Sequence, residues 1–236
     1  SVIFHDQKYM KKLILSIIIF FSISSITFSH VDHYKQINYL EYELFRNNKS
    51  IGYHKYNFTN KNGILVVESE VEFKITKLGV DLYKYYAKSE EFYNNNNFFK
   101  FNSKTKQNKK DKYVNITLDE KNNELNIDGS SFKGKTDKDK IVGTWWNHEI
   151  IKAKAQISAI SGRIIEQKVE FIGKEKITIN GKTYNALHFN FKSSDETLPD
   201  SKKLNTDIWY EEETFLWLKA AFDKTGYWEY RLKINK

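Results

Sequence analysis

The sequence predicts an all-β protein, a long antiparallel meander curled into a barrel or half-barrel, with one short helix near 147–155. Three observations predict it. First, Leu65, Val67, Ser69, Val71, Phe73 and Ile75 alternate with Val66, Glu68, Glu70, Glu72, Lys74 and Thr76, the period of a strand with one dry face and one wet face. Second, the alternating stretches are separated by Asn47-Asn48-Lys49, Asn60-Lys61-Asn62-Gly63, Asn94 to Asn97, Glu120 to Asn123, Asn180-Gly181 and Lys224-Thr225-Gly226. Asn and Gly tolerate the positive φ that tight hairpins demand. Third, helix signals are nearly absent, and proline occurs once, at Pro199.

In chain order, residues 1–9 read as an upstream extension. Met10-Lys11-Lys12 and the apolar run from Leu13 through Phe21 to Ile23 form the charged and hydrophobic parts of an export signal. Thr27-Phe28-Ser29 places small residues where a signal peptidase cuts, so cleavage is expected after Ser29. Ser22, Ser24 and Ser25 interrupt the run, which falls short of the ~20 apolar residues of a spanning helix. The expectation is a periplasmic or secreted chain, not membrane-spanning after cleavage, with residues 30–236 as a single antiparallel β domain. The sequence contains no cysteine, which excludes disulfides and a lipoprotein anchor.

Removal of the signal takes away Lys8, Lys11, Lys12 and Asp6 and lowers the net charge from +8 to +6. The remaining basicity is spread through Lys- and Asn-rich turns and reads as a solvated surface, with no nucleic-acid partner implied. Strands are expected near 36–46, 51–59, 65–76, 80–93, 98–106, 112–119, 163–173, 175–180, 184–192, 206–210, 215–223 and 227–234. A sheet that long must twist and curl. The one helical stretch is Thr144 to Ala155, with Thr144 or Asn147 as N-cap and Glu149 in the first turn.

Chemistry-bearing motifs are sparse. No Gly-rich phosphate loop, Gly-x-Ser-x-Gly elbow or His-Glu-x-x-His occurs. The histidines form no close pairs of the kind zinc sites use. His54 and His188 lie in alternating strands and read as outward-facing polar residues, and Val31-Asp32-His33 would bind copper only if it became the N-terminus. No catalytic residue, metal or cofactor is assigned. Aromatics are the unusual feature: fifteen Tyr, seventeen Phe and five Trp make up 16% of the chain. Most would fill the interior, while some could line a cavity for an apolar ligand.

Ile51-Gly52-Tyr53-His54, Leu65-Val66-Val67-Glu68-Ser69-Glu70, Thr144-Trp145-Trp146-Asn147 and Asp207-Ile208-Trp209-Tyr210 occur in this order, followed by Leu218-Lys219-Ala220-Ala221-Phe222 and Gly226 to Leu232. Order and spacing resemble the secreted bacterial family catalogued as domain of unknown function 6134, over roughly residues 38–234. The resemblance implies an exported all-β domain and brings no catalytic residue. Some similar envelope proteins resemble the lipoprotein-carrier fold, a curved sheet around helices with an apolar cavity; this chain offers one short helix instead of several. The expected function is a non-enzymatic binding module for a lipid or other apolar small molecule, with Trp145, Trp146, Asn147, His148, Trp209 and Tyr210 as candidate ligand-binding residues. The alternatives are an envelope scaffold with a packed core and its own envelope partner, and, third, an enzyme of unrecognised type. One of the consecutive indoles Trp145 and Trp146 should pack inward and the other sit at the open end. The mature N-terminus is expected at His30, within two residues; Edman sequencing of protein recovered from the envelope checks this, and an intact Met10 would refute it.

Overall fold

The computed structural model describes residues 36–236. The export signal, its cleavage after Ser29 and the Val31-Asp32-His33 tripeptide lie outside the described residues. Strands follow one another as β1 (Tyr39–Arg46), β2 (Lys49–Lys61), β3 (Ile64–Lys77), β4 (Val80–Asn94), β5 (Asn97–Gln107), β6 (Lys110–Asp119), β7 (Glu124–Gly129) and β8 (Lys133–Asp137). The return half contains β9 (Ile141–Val142), β10 (Ala155–Ile157), β11 (Ile164–Ile179), β12 (Lys182–Ser193), β13 (Asn205–Glu211), β14 (Trp217–Asp223) and β15 (Tyr227–Asn235).

All fifteen join one sheet, in the order β8-β7-β6-β5-β4-β3-β2-β1-β15-β14-β13-β12-β11-β10-β9. The first strand therefore pairs with the last at the middle of the sheet, with Leu44 opposite Tyr230 and Arg46 opposite Trp228. Every neighbouring pair is antiparallel except β9 with β10. β8 and β9 are the two edges, so the sheet is curled and does not close.

The alternation seen in the sequence becomes register. Across β2 to β6 the inward rows are Phe58–Val67–Glu91–Phe101–Ile116, then Tyr56–Ser69–Ser89–Ser103–Val114, then His54–Val71–Ala87–Thr105, then Gly52–Phe73–Tyr85. Leu65, Val67 and Val71 are buried as expected, Phe73 and Ile75 are half-buried, and Glu68 and Glu72 face solvent. The expected strands near 163–173 and 175–180 are one strand, β11, with a register shift between Phe171 and Gly173. Strands β7 to β10 were not anticipated; they are short and follow turn-rich sequence.

β9 and β10 fold over the inward face and meet the other half of the sheet there. Val142 of β9 and Ile157 of β10 pack in one cluster with Phe101, Val114, Ile116, Leu125 and Ile127 of β5 to β7. The chain between β10 and β11 inserts as a plug against the row of small side chains. The Ser103 hydroxyl donates to the Ala159 carbonyl at 2.5 Å, and the Ser131 amide donates to the Ser161 carbonyl at 2.9 Å. Gly129 leaves the necessary gap, because a Cβ there would collide with the Ser161 carbonyl oxygen. Gly162 turns the plug back with φ of +79°, a left-handed conformation that Gly adopts without penalty.

The expected helix near 147–155 is a correction. It is a single 3-10 turn, His148–Ile151, capped by Asn147, whose side-chain oxygen accepts from the Glu149 amide at 3.1 Å. The turn stops because Ala155 to Ile157 are taken into the sheet as β10, and the Gln167 side chain of β11 supplies donors to the carbonyls of Ile150 and Ala153 at 3.0 and 2.9 Å. A tertiary hydrogen bond to each carbonyl replaces what further helical turns would have provided.

Gly129→Val should lower stability by about 1–3 kcal/mol or more, since the plug must move to admit the side chain. Asp128→Val, one residue away on the exposed face, should cost under about 1 kcal/mol. Urea unfolding of both variants checks this, and equal effects would refute the plug packing.

Candidate functional site

The candidate residues 144–148 cross the interior between the two halves of the sheet. The backbone of Trp145 and Trp146 is a turn, not an extended stretch, and the two indoles still reach different neighbours. Trp146 is fully buried, edge-on to Phe58 at 5.4 Å and to Tyr93 at 5.7 Å. Trp145 is half-buried and sits edge-on to Trp217 at 5.3 Å and Tyr230 at 5.2 Å. Its backbone carbonyl accepts from the Tyr210 phenol at 2.8 Å. Asn147 is buried and donates from Nδ2 to the Tyr93 hydroxyl at 3.3 Å, besides capping the turn. His148, also buried, stacks on Phe215 at 4.6 Å. That stacking helps hold Phe215 at a φ of +55°, unusual for a bulky side chain.

The Trp146 indole meets a residue that the sequence reading passed over. Glu91 of β4 is 2% exposed, and its Oε2 accepts from Trp146 Nε1 at 2.6 Å. The Thr144 hydroxyl lies 3.3 Å from both carboxyl oxygens, and the Tyr93 phenol donates to Oε1 at 3.1 Å. Burial pushes the Glu91 carboxyl up to about 7, against the opposing pull of Trp146, Tyr93 and Thr144. The same burial, with the Glu91 charge second, raises the Tyr93 phenol well above its ordinary value. These donors are an indole, a phenol and a hydroxyl, all neutral. Chemically the arrangement ties segment 144–147 to β4. The signal was present in the strand period: Tyr85, Ala87, Ser89, Glu91 and Tyr93 share the inward parity of β4, and Glu91 is the acid in that series.

Below this node the interior is packed with aromatic rings. Tyr42 stacks on Trp217 at 3.9 Å, and its hydroxyl donates to the Trp217 carbonyl at 2.7 Å. His54 points inward, which corrects the outward position expected for it: Leu40, Tyr42 and Leu44 of β1 bury the face on which it lies. Its ring stacks on Tyr56 at 4.3 Å and stands edge-on to Trp217 at 6.4 Å and Tyr230 at 6.1 Å. The residue as a whole is half-buried, but both ring nitrogens are shielded from solvent and neither has a hydrogen-bond partner. Burial drives the imidazole down to about 3, so it is neutral at ordinary pH. Trp217 Nε1 is likewise buried and unpaired. The Tyr230 phenol, pushed up to about 12 by burial, and the Tyr85 phenol, also raised by burial, face one another among these rings.

Trp209 lies on the other face of the sheet, because it alternates with Ile208 and Tyr210 along β13. It stacks on His188 at 4.2 Å and lies under Lys219 at 4.8 Å, and its Nε1 donates to Glu175. His188 contacts Asp207 through Nε2 at 2.8 Å and Glu175 through Nδ1 at 3.4 Å. The structure thus brings Trp145, Trp146, Asn147, His148 and Tyr210 together in the interior and leaves Trp209 buried on the opposite face of the sheet. Among the described residues no group of three or more His, Asp or Glu side chains is arranged to hold a metal ion.

Fold and site together define a β-barrel-like protein whose curled sheet is pinned by an internal segment. The chain belongs to the family described as "Domain of unknown function (DUF6134)", whose model matches residues 42–233. Among solved structures it is similar to a β-barrel-like protein of domain of unknown function DUF1849 from Brucella abortus, with a TM-score of 0.58 at 10% identity, covering 85% of this chain and 97% of that one. A DUF1329 family protein from Desulfovibrio piger also matches, at 12% identity with a TM-score of 0.29, covering 88% of this chain and 90% of that one. No curated protein matches.

The Glu91 carboxyl gives a pH prediction. Its folded pKa lies above the usual value, so its contribution is most favourable below about pH 4.5 and is lost as pH rises toward 7. The difference in unfolding free energy between Glu91→Gln and the parent should therefore shift in favour of the variant by about 3 kcal/mol between pH 4.5 and pH 8. Paired urea titrations across that range check it; a constant difference would refute the buried, protonatable carboxyl.

Proposed function

We propose that this protein is an exported, non-enzymatic binding module of the bacterial envelope, taking an amphipathic small molecule, such as a lipid, into the lower half of its curled sheet. One observation carries the reading. His54 Nδ1, His54 Nε2 and Trp217 Nε1 are buried without partners among packed aromatic rings. A scaffold with nothing to bind gains nothing from orphaned polar groups, which are costly in a dry interior. A ligand with an apolar body and one polar group would satisfy both demands: rings for the body, and a neutral imidazole that can donate or accept. The rim supports the same reading, because Ile51, Phe73 and Tyr83 are only partly covered at the lower end of this cluster of rings.

In this reading Trp145 is the ligand-facing member of the tryptophan pair, and Trp146, Asn147, His148 and Tyr210 hold it in place. Trp209, on the outward face, belongs to a separate surface. The alternative is a packed envelope scaffold, in which His54 is an energetic defect with no return.

His54→Phe separates the two. It removes the unpaired nitrogens while keeping an aromatic ring, so the empty protein should be equally or more stable in urea. Uptake of a fluorescent fatty-acid probe should fall at least tenfold, and native mass spectrometry of parent protein from its own envelope should show a bound small molecule. A parent protein that carries no ligand and takes up no probe would overturn the binding reading and leave the scaffold.

A further inference from the structure

We propose that the β3–β4 hairpin is a membrane-docking finger that inserts its apolar tip into the surface of an anionic bilayer. The finger is a ribbon that outruns its neighbours. β2 last pairs with β3 at Gly52 opposite Phe73, and β5 last pairs with β4 at Gln107 opposite Tyr85. Beyond those positions Lys74–Lys77 pair only with Val80–Lys84, and of these only Lys84 is tied to another part of the chain, at Asn108. A two-stranded ribbon has little stability of its own.

The tip carries two costs with no return in the folded chain. Leu78 is 96% exposed, and Val80 and Leu82 beside it are 61% and 56% exposed. Leu78 also has a φ of +51° and precedes Gly79 at +79°. Two other hairpins of the same chain have nearly identical backbones, Asn62-Gly63 at +53° and +78° and Asn180-Gly181 at +51° and +79°. There the first residue is Asn, which tolerates this conformation; a leucine does not. Phe215, the other bulky residue in this region, is compensated by half-burial and by stacking on His148. Leu78 has neither.

Charge identifies the occupant. Lys74, Lys77 and Lys84 flank the tip against a single Asp81. The β5–β6 turn is tied alongside, with Asn108 and Lys84 bonded in both directions at 2.8 Å, and brings exposed Lys106, Lys109 and Lys110. At the finger's base a cleft of about 620 Å³ is lined by Lys74, Lys84 and Lys106 against Glu72 and Asp81, with Tyr53 and Tyr86 beside them. An apolar point inside a lysine collar matches acyl chains beneath anionic headgroups. A protein partner would also cover Leu78, Val80 and Leu82, but it would not call for this excess of lysine: Lys74 and Lys84 share the one Asp81, at 3.9 and 3.2 Å, and exposed Lys77, Lys106, Lys109 and Lys110 stand around them.

The test is sedimentation with vesicles. Parent protein should pellet with phosphatidylglycerol/phosphatidylethanolamine vesicles, much less with phosphatidylcholine, and less as salt rises. Leu78→Asn should cut that binding at least tenfold while raising the melting temperature by about 2–4 °C, because it restores the turn residue used elsewhere in the chain. Lys77→Ser/Lys109→Ser/Lys110→Ser, with the tip intact, should also weaken binding and abolish its salt dependence. The His54→Phe protein should pellet like the parent, which separates docking from any interior ligand. A parent that stays in the supernatant, a Leu78→Asn protein that binds as well as the parent, or equal binding to neutral vesicles would each overturn the proposal.

Discussion

The inward face of this sheet needs a partner, and the chain supplies one from its own middle. An open sheet of fifteen strands presents more apolar surface than either half can cover alone. The connection from β9 to β11 resolves this by passing through the concavity. Trp146 and Ile150 fill the space under β2 and β4, and Ala159 to Gly162 press against a row of Ser and Gly. Where the segment has polar groups, the sheet answers them: Glu91 meets the Trp146 indole and Thr144, and Gln167 meets the carbonyls of Ile150 and Ala153. The curl, the failure to close and the location of the aromatic cluster all depend on that internal segment.

The division of the interior follows. Above, where Trp146 enters, packing is dense and each polar atom of the Glu91 node is satisfied. Below, where Trp145 points, rings dominate and the polar atoms of His54 and Trp217 are left over. A buried carboxyl near neutrality and a buried imidazole far below its ordinary value are opposite signs of one cause, removal of water from a group that must then shed its charge. The difference lies in partners: Glu91 has three side chains around it, and His54 has only ring faces.

Period two made most of the strands legible, because one residue of slippage would have turned Val67 and Val71 out and Glu68 and Glu70 in. Turn chemistry gave the hairpins, with Asn or Gly at all but three of the positive-φ positions, Leu78, Phe215 and Thr225, among the described residues. Two misreadings share one origin. Thr144 to Ala155 looks helical on local grounds, yet Gln156 and Ile157 pair with β9 on one side and β11 on the other, and these partners shorten the helix to one turn. His54 looks solvent-facing as a polar residue, yet parity with Tyr56 and Phe58 places it inside. Polarity was read in place of parity. What no single sequence discloses is which of many acids lands beside an indole 55 residues away, as Glu91 does.

The pairing of β1 with β15 has a consequence for how the chain acquires its shape. These two strands form the middle of the sheet, and the backbone amide of Asn38 donates to the carbonyl of Lys236 at 2.6 Å. The central seam therefore joins strands nearly two hundred residues apart and cannot form until β15 has been made. Closing a loop of that length carries a large entropic barrier, and such long-range pairing makes for slow folding. Until then each half is a meander with a naked inner edge. Such an order of assembly leaves β1 and β14 open to pairing with foreign strands for as long as β15 is missing.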